Sequence, residues 1–268
     1  MLLTQRLYET ALPLAQATTV ASLTVGLGYT VVTTGDGGLG LSFTWLEGRE
    51  NRSFANHYHD VEGEPAGVLL ERLLSDDPFQ RSIGLATVNA LNRERASGLP
   101  DDDGGPLSRS LELLRIGPGT RVCMVGYFPP LANMLPELGT ELEVIDSSLG
   151  IGEPARFRGL LGSWAEALIV TATAILNDSI EDLLAATGPG VRTLVLGPST
   201  PLVPEAFSHL PVDVLAGIVP LDAVMIERVV RHGAATPGMK PFVRKVYCRC
   251  RRAGAGEAER AGAGEVER

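Results

Sequence analysis

Residues 121–131 read Arg121-Val122-Cys123-Met124-Val125-Gly126-Tyr127-Phe128-Pro129-Pro130-Leu131. The apolar run breaks at Gly126, passes through an aromatic pair and two prolines, and resumes as a helical pattern at 131–138. A strand, a tight loop and a helix in that order open an α/β domain. Downstream, apolar runs recur at 142–145, 167–170, 194–196 and 214–218. Helical patterns at 157–161, 180–186 and 223–230 separate most of them, and 242–247 alternates as a last strand. Strands alternating with helices predict a mostly parallel sheet with helices on both faces.

The residues upstream follow different periods. Leu3, Leu7, Ala11 and Leu14 share a helical face. From Val20 to Val32 the chain is β-rich, with Leu23, Val25, Leu27 and Tyr29 alternating. The turn Gly35-Asp36-Gly37-Gly38 and the alternating Leu39, Leu41 and Phe43 then predict a β-hairpin. Pro65 opens a helix carrying Val68, Leu69, Leu73 and Leu74, and Asp76-Asp77-Pro78 caps another with Phe79, Ile83, Ala86 and Ala90 in one stripe. The reading is an α+β domain over 1–100, a linker at 101–106 rich in Asp and Gly, the α/β domain over 107–252, and a repeated Ala-Gly-Ala-Gly tail at 253–268 expected to be disordered.

Composition narrows the function. The chain has 268 residues, 44% hydrophobic and 21% charged, with a net charge of -9. Nucleic acid calls for basic stripes, so this balance argues against it. No run approaches the roughly 20 apolar residues of a membrane span, and Arg6 and Glu9 interrupt the N-terminal apolar residues. With three cysteines and no disulfide framework, the chain reads as cytoplasmic, and a homo-oligomer is compatible with the pattern. Cys248 and Cys250 have two readings: residues at the end of a last strand, or a thiolate pair favoured by Arg249, Arg251 and Arg252. His57 and His59 would share a face if extended, which suits a metal, although a polar loop is the commoner outcome.

In an open α/β sheet, ligands bind beyond the carboxyl ends of the strands where strand order reverses. Those ends collect Gly126, Tyr127, Phe128 and Pro129; Asp146; Thr171, Thr173 and Asn177; and Gly197, Ser199 and Thr200. Asp146 follows Gly126 by 20 residues, the separation at which an acid reaches a ribose hydroxyl. Phe128 and Leu131 occupy the second and third glycine positions of a dinucleotide fingerprint, which disfavours NAD and FAD while leaving S-adenosylmethionine open. Asp178 and Glu181 have capping-box spacing, so Asp178 reads as a helix cap. No residue stands out as a catalyst. The hydroxyl and amide groups suit the orientation of a small polar molecule, with Tyr127 and Phe128 as an apolar wall and Asn89 reaching in from the first domain.

The segments Gly126-Tyr127-Phe128-Pro129, Thr171-x-Thr173-x-x-x-Asn177 and Gly197-Pro198-Ser199-Thr200-Pro201-Leu202 occur in this order after a Gly-Leu-Ala-x-x-Asn-Ala run at 84–90. In these the chain resembles the DUF364/DUF4213 heavy-metal chelation family, over nearly everything except the tail. The resemblance implies an enolase N-terminal-like domain ahead of a Rossmann-like domain, with a pocket between them. It also implies a role in making or handling small metal chelators. The family's Thr-loop often carries a further hydroxyl residue where this chain has Ala174. The expected ligand is therefore a small polar metal-chelating metabolite, its precursor or its metal complex. The alternatives are an S-adenosylmethionine-dependent transferase and a non-enzymatic metal binder using His57, His59, Cys248 and Cys250.

Overall fold

The computed structural model describes residues 2–46, 60–103 and 108–251. His57, His59 and the repeated tail lie outside them. The apolar runs form β4 (Arg121–Val125), β5 (Glu141–Ile145), β6 (Ala167–Thr171), β7 (Arg192–Leu196), β8 (Val214–Pro220) and β9 (Val243–Arg249). They make one six-stranded sheet in the order β5-β4-β6-β7-β8-β9. All neighbours run parallel except β9, which is antiparallel to β8.

Strand periodicity divides the apolar residues between two faces. Cys123, Leu168, Val170, Val195 and Leu215 join a core with Phe157, Leu161, Ile180 and Leu184. Those partners come from α7 (Pro154–Ser163) and α8 (Ile180–Ala185). Val122, Met124, Ile169, Leu194 and Ala216 turn the other way, onto Leu111, Leu114 and Leu135. Leu111 and Leu135 belong to α5 (Arg109–Leu113) and α6 (Pro129–Glu137). The outer edge of β9 is met by Asp101, which bridges to Val246, and by Asp102, whose N–H donates to Lys245 O at 2.9 Å. The buried Asp102 carboxylate then accepts the Ser110 N–H at 2.7 Å and the Ser110 hydroxyl at 2.8 Å.

The N-terminal part comprises α1 (Leu2–Gln16), a three-stranded antiparallel sheet, and a helical layer. The run read as one long strand is two, β1 (Val20–Val25) and β2 (Tyr29–Thr34), followed by β3 (Leu39–Phe43). Alternation alone could not locate the break, because the turn at Gly26, Leu27 and Gly28 preserves the period of two. Its position is tertiary: a Cβ on Gly26 would lie 2.5 Å from Val230 O on α9 (Ala223–Arg231). Short α10 (Thr236–Met239) completes that side, where Tyr29 Oη and Thr236 Oγ1 share a 2.6 Å hydrogen bond.

The helix opened near Pro65 is a single α-turn, α2 (Gly67–Leu70), that tightens into a 3-10 turn at Glu71–Leu74. α3 (Pro78–Leu91) begins on Asp77, whose carboxylate accepts the Phe79 N–H at 2.9 Å, and α4 (Arg93–Ser97) follows it directly. β3 lies against α3 with almost nothing between the backbones. A Cβ on Gly40 would fall 2.1 Å from both Ala86 O and Ala90 N.

Polar groups tie the N-terminal part to the large sheet. Arg81, 7% exposed, donates from Nε to Ser75 O at 2.6 Å and from Nη1 to Leu176 O at 3.0 Å. Its Nη2 meets Asp178 at 3.4 Å. Glu181 of α8 accepts the N–H groups of Leu2 and Leu3, so a carboxylate from one part caps the first helix of the other.

Gly40→Ala should cost about 3 kcal/mol or prevent folding, because neither backbone can retreat. Gly67→Ala, at a site with no atom within 4 Å of the added Cβ, should stay within roughly 0.5 kcal/mol in urea unfolding. Arg81→Met should cost about 3 kcal/mol by stranding two carbonyls. Asp178→Asn should cost less than about 1 kcal/mol, because a half-exposed ion pair contributes little.

Candidate functional site

The loops after β4 and β6 meet where the strand order reverses. Gly126 takes φ +85°, and its N–H donates to Ile145 O at 2.8 Å. A Cβ there would lie 2.9 Å from the Thr171 side chain, so only glycine lets the loops approach. The Tyr127 N–H donates to Asp146 at 2.8 Å. Asp146 also accepts the Ser148 hydroxyl at 2.6 Å and the Leu149 N–H at 3.1 Å. Burial works to raise its pKa, but hydrogen bonds from Ser148, Tyr127 and Leu149 outweigh it and hold the carboxyl below its ordinary value.

Phe128 caps α6 and packs half-buried on the α5–α6 side of the sheet, whereas Tyr127 stays exposed. The first two residues of that helix are Pro129 and Pro130, which have no N–H. Leu131 and Ala132 direct theirs to Phe128 O. The helix start therefore lacks the backbone donors with which a dinucleotide fold cradles pyrophosphate.

Thr171 and Thr173 share a 3.0 Å hydrogen bond between their hydroxyls. Exposed Asn177 accepts the Ser179 hydroxyl at 2.8 Å. Asp178 is not the cap of α8. It takes φ +66° and faces Arg81, while the residue at the cap is Ser179. Glu181, the other half of the expected capping box, serves α1 instead.

A second group forms beyond β7. Gly197 turns the chain at φ +129°. Ser199 and Thr200 are 2% and 3% exposed. The Ser199 hydroxyl accepts the Phe43 N–H at 2.8 Å. Asn89 Nδ2 donates both to Leu41 O at 2.8 Å and to Ser199 O at 3.2 Å. One turn on, Asn92 Nδ2 donates to Leu202 O at 2.9 Å.

These contacts frame a cavity of about 140 Å³, with Leu39, Leu41, Leu202 and Ile218 among its apolar walls and Asn89, Asn92 and Thr200 as polar ones. Arg93 lies at its edge and is exposed. Among the described residues no Asp, Glu, His or Cys lines it. Thr200 Oγ1 is buried and has no hydrogen-bond partner among the described residues. The structure thus brings Asn89, Ser199 and Thr200 together, and separately Gly126, Tyr127, Asp146, Thr171 and Thr173. Sequence reasoning missed Asn92 and Arg93. The signal was available, because Asn89 and Asn92 are three residues apart at a helix end and so share a face.

Cys248 and Cys250 stand at the end of β9. Of the two readings, the thiolate pair is disfavoured: burial pushes the Cys248 thiol up to about 12 and the Cys250 thiol higher still. Cys123, inside the sheet, is likewise pushed up to about 12 by burial. Among the described residues no group of three or more His, Cys, Asp or Glu side chains is placed to hold a metal ion. No helix among them is long and apolar enough to cross a membrane.

Residues 109–249 match the DUF364 family, described as "Putative heavy-metal chelation", and residues 8–92 match DUF4213, which carries the same description. A DUF364-family protein of unknown function from Pyrococcus horikoshii is 20% identical and superposes with a TM-score of 0.76, covering 93% of this chain and 100% of its own. Another from Desulfitobacterium hafniense DCB-2 is 22% identical, with a TM-score of 0.69 over 91% of this chain and 98% of its own. At these identities the likeness is one of fold. No curated protein matches the chain. With both regions matched in order and the architecture shared, the chain belongs to the DUF364 family and carries a DUF4213 region ahead of its six-stranded sheet.

Proposed function

We propose that this protein binds and transforms a small polar metal-chelating metabolite or its precursor, seated in the cavity between β3, the end of α3 and the Gly197–Leu202 loop. The observation that carries the reading is the cavity itself. Apolar walls stand beside two oriented amides and a buried hydroxyl that lacks a partner among the described residues. Apolar walls with a few fixed polar groups are the usual make-up of a small-molecule site. Its volume of about 140 Å³ is below the several hundred Å³ of a drug-sized pocket, so it suits a compact molecule or the polar end of a longer one. Among the described residues the lining has no acidic, His or Cys side chain, so a metal would be held by the chelator and not by the protein. Gly126, Tyr127, Asp146, Thr171 and Thr173 would orient whatever part of the ligand extends to the point where strand order reverses.

One observation favours a second reading, an S-adenosylmethionine-dependent transferase. Asp146 follows β5 beside the Gly126 turn with its carboxyl held below its ordinary value, at the position from which an acid receives ribose hydroxyls. Equilibrium dialysis at millimolar cofactor separates the two, since no retention ends this reading.

The primary reading is tested through Thr200→Val. Its hydroxyl has no partner among the described residues, so the substitution should leave the melting temperature within about 2 °C. Small molecules retained through purification and identified by mass spectrometry should nevertheless be reduced at least about tenfold. Zinc, nickel or copper added alone should not bind in the cavity. Retention unchanged by Thr200→Val would remove the ligand from this cavity.

A further inference from the structure

The two asparagines specify more than polarity. The Nδ2 of each is committed to backbone carbonyls, Asn89 to Leu41 O and Ser199 O, Asn92 to Leu202 O. A carbonyl accepts and never donates, so these contacts settle which end of each amide is nitrogen. Asn89 thereby uses both of its N–H groups and Asn92 one of its two, and neither Oδ1 accepts a hydrogen bond among the described residues. Both side chains line the cavity. The wall thus offers two amide acceptors, which a ligand meets with donors.

Arg93 adds the opposite demand. Its Nη1 lies 3.4 Å from Asp36 O, over the β2–β3 turn at the cavity edge. It makes no ion pair among the described residues. The nearby Asp36 carboxylate is occupied by the Thr34 hydroxyl at 2.6 Å. A lone ammonium ion would meet the two amide oxygens but be repelled by this guanidinium. A lone carboxylate would meet the guanidinium but leave both amide oxygens facing an acceptor. A molecule carrying an ammonium and a carboxylate on one carbon satisfies both ends at once. Leu39, Leu41, Leu202 and Ile218 would then receive a short side chain.

We infer that the cavity takes a zwitterionic α-amino acid or a compact aminocarboxylate, with its ammonium group on the Asn89 and Asn92 Oδ1 atoms and its carboxylate on Arg93. The inference rests on the cavity being the ligand site. It also accords with chelation, since an amine and a carboxylate on one carbon bind a metal as a five-membered ring. The amide oxygens would recognise the protonated, metal-free form, so the metal would join or leave outside this subsite.

Isothermal titration of the full chain with L-α-amino acids from glycine to histidine provides the test. Propionate, ethylamine and acetamide serve as probes that lack one or both charges. At least one amino acid should bind saturably, and propionate and ethylamine should bind at least about a hundredfold more weakly. Arg93→Gln changes an exposed side chain, so the fold should persist. It should weaken the best amino acid about tenfold or more while leaving ethylamine no weaker. If no amino acid binds, if propionate or acetamide binds as well as alanine, or if Arg93→Gln leaves amino-acid binding unchanged, the inference is overturned. Acetamide or propionate binding that is lost in Thr200→Val would overturn it while the cavity stands as the ligand site. Failure of every probe, with retained ligand unaffected by Thr200→Val, would overturn both.

Discussion

A single side-chain amide links the two sheets. Asn89 sends its two N–H groups to carbonyls in separate structures, Leu41 in the small antiparallel sheet and Ser199 in the loop after β7. Ser199 answers by accepting the Phe43 N–H on its hydroxyl. The end of β3, the end of α3 and a strand-end loop of the large sheet are thereby held in one hydrogen-bonded group. In a buried setting, losing one member would strand several backbone groups at once. The cavity wall is built from this group, so the site has the rigidity of the junction.

The junction depends on a close backbone approach. Gly40 allows β3 to touch α3 at distances a Cβ would forbid, which brings Asn89 within reach of both carbonyls. Gly126 does the same for the β4 and β6 loops against Thr171. Away from the cavity the same logic uses charge: Arg81 reaches Leu176 O, and Glu181 caps α1. Each of these groups is satisfied mainly by backbone partners and only secondarily by opposite charge. That arrangement suits a partly buried boundary, where desolvated charges need hydrogen bonds more than they need Coulomb attraction.

The two loop clusters differ in what they leave free. At the strand-order reversal, Asp146 is already occupied by its three donors and the threonines by each other. Pro129 and Pro130 remove the donors that would make the α6 start an anion site. Around the cavity, two amide oxygens, one hydroxyl and one guanidinium keep unused capacity among the described residues. Unused hydrogen-bonding capacity on buried groups beside apolar walls is costly unless a ligand or water takes it up, and this is why the cavity carries the functional reading.

The sequence by itself determined the elements and their order. Period-two and continuous apolar runs located all six strands of the large sheet, because a strand buried on both faces has no other way to be written. It determined Asp77 as a cap, because that choice depends only on neighbours two residues away. It also marked the strand-end loops as polar and collected Asn89, Ser199 and Thr200 among the candidates. Tertiary structure decided the rest. The break at Gly26 depends on Val230, the capping role of Glu181 depends on a helix 178 residues upstream, and the upward shift of the Cys248 and Cys250 thiols depends on burial that the flanking arginines do not reveal. The division of the candidates into an occupied cluster and an open cavity was likewise not legible. Which polar atoms are satisfied is set by partners far apart in sequence, and local spacing carries no record of them.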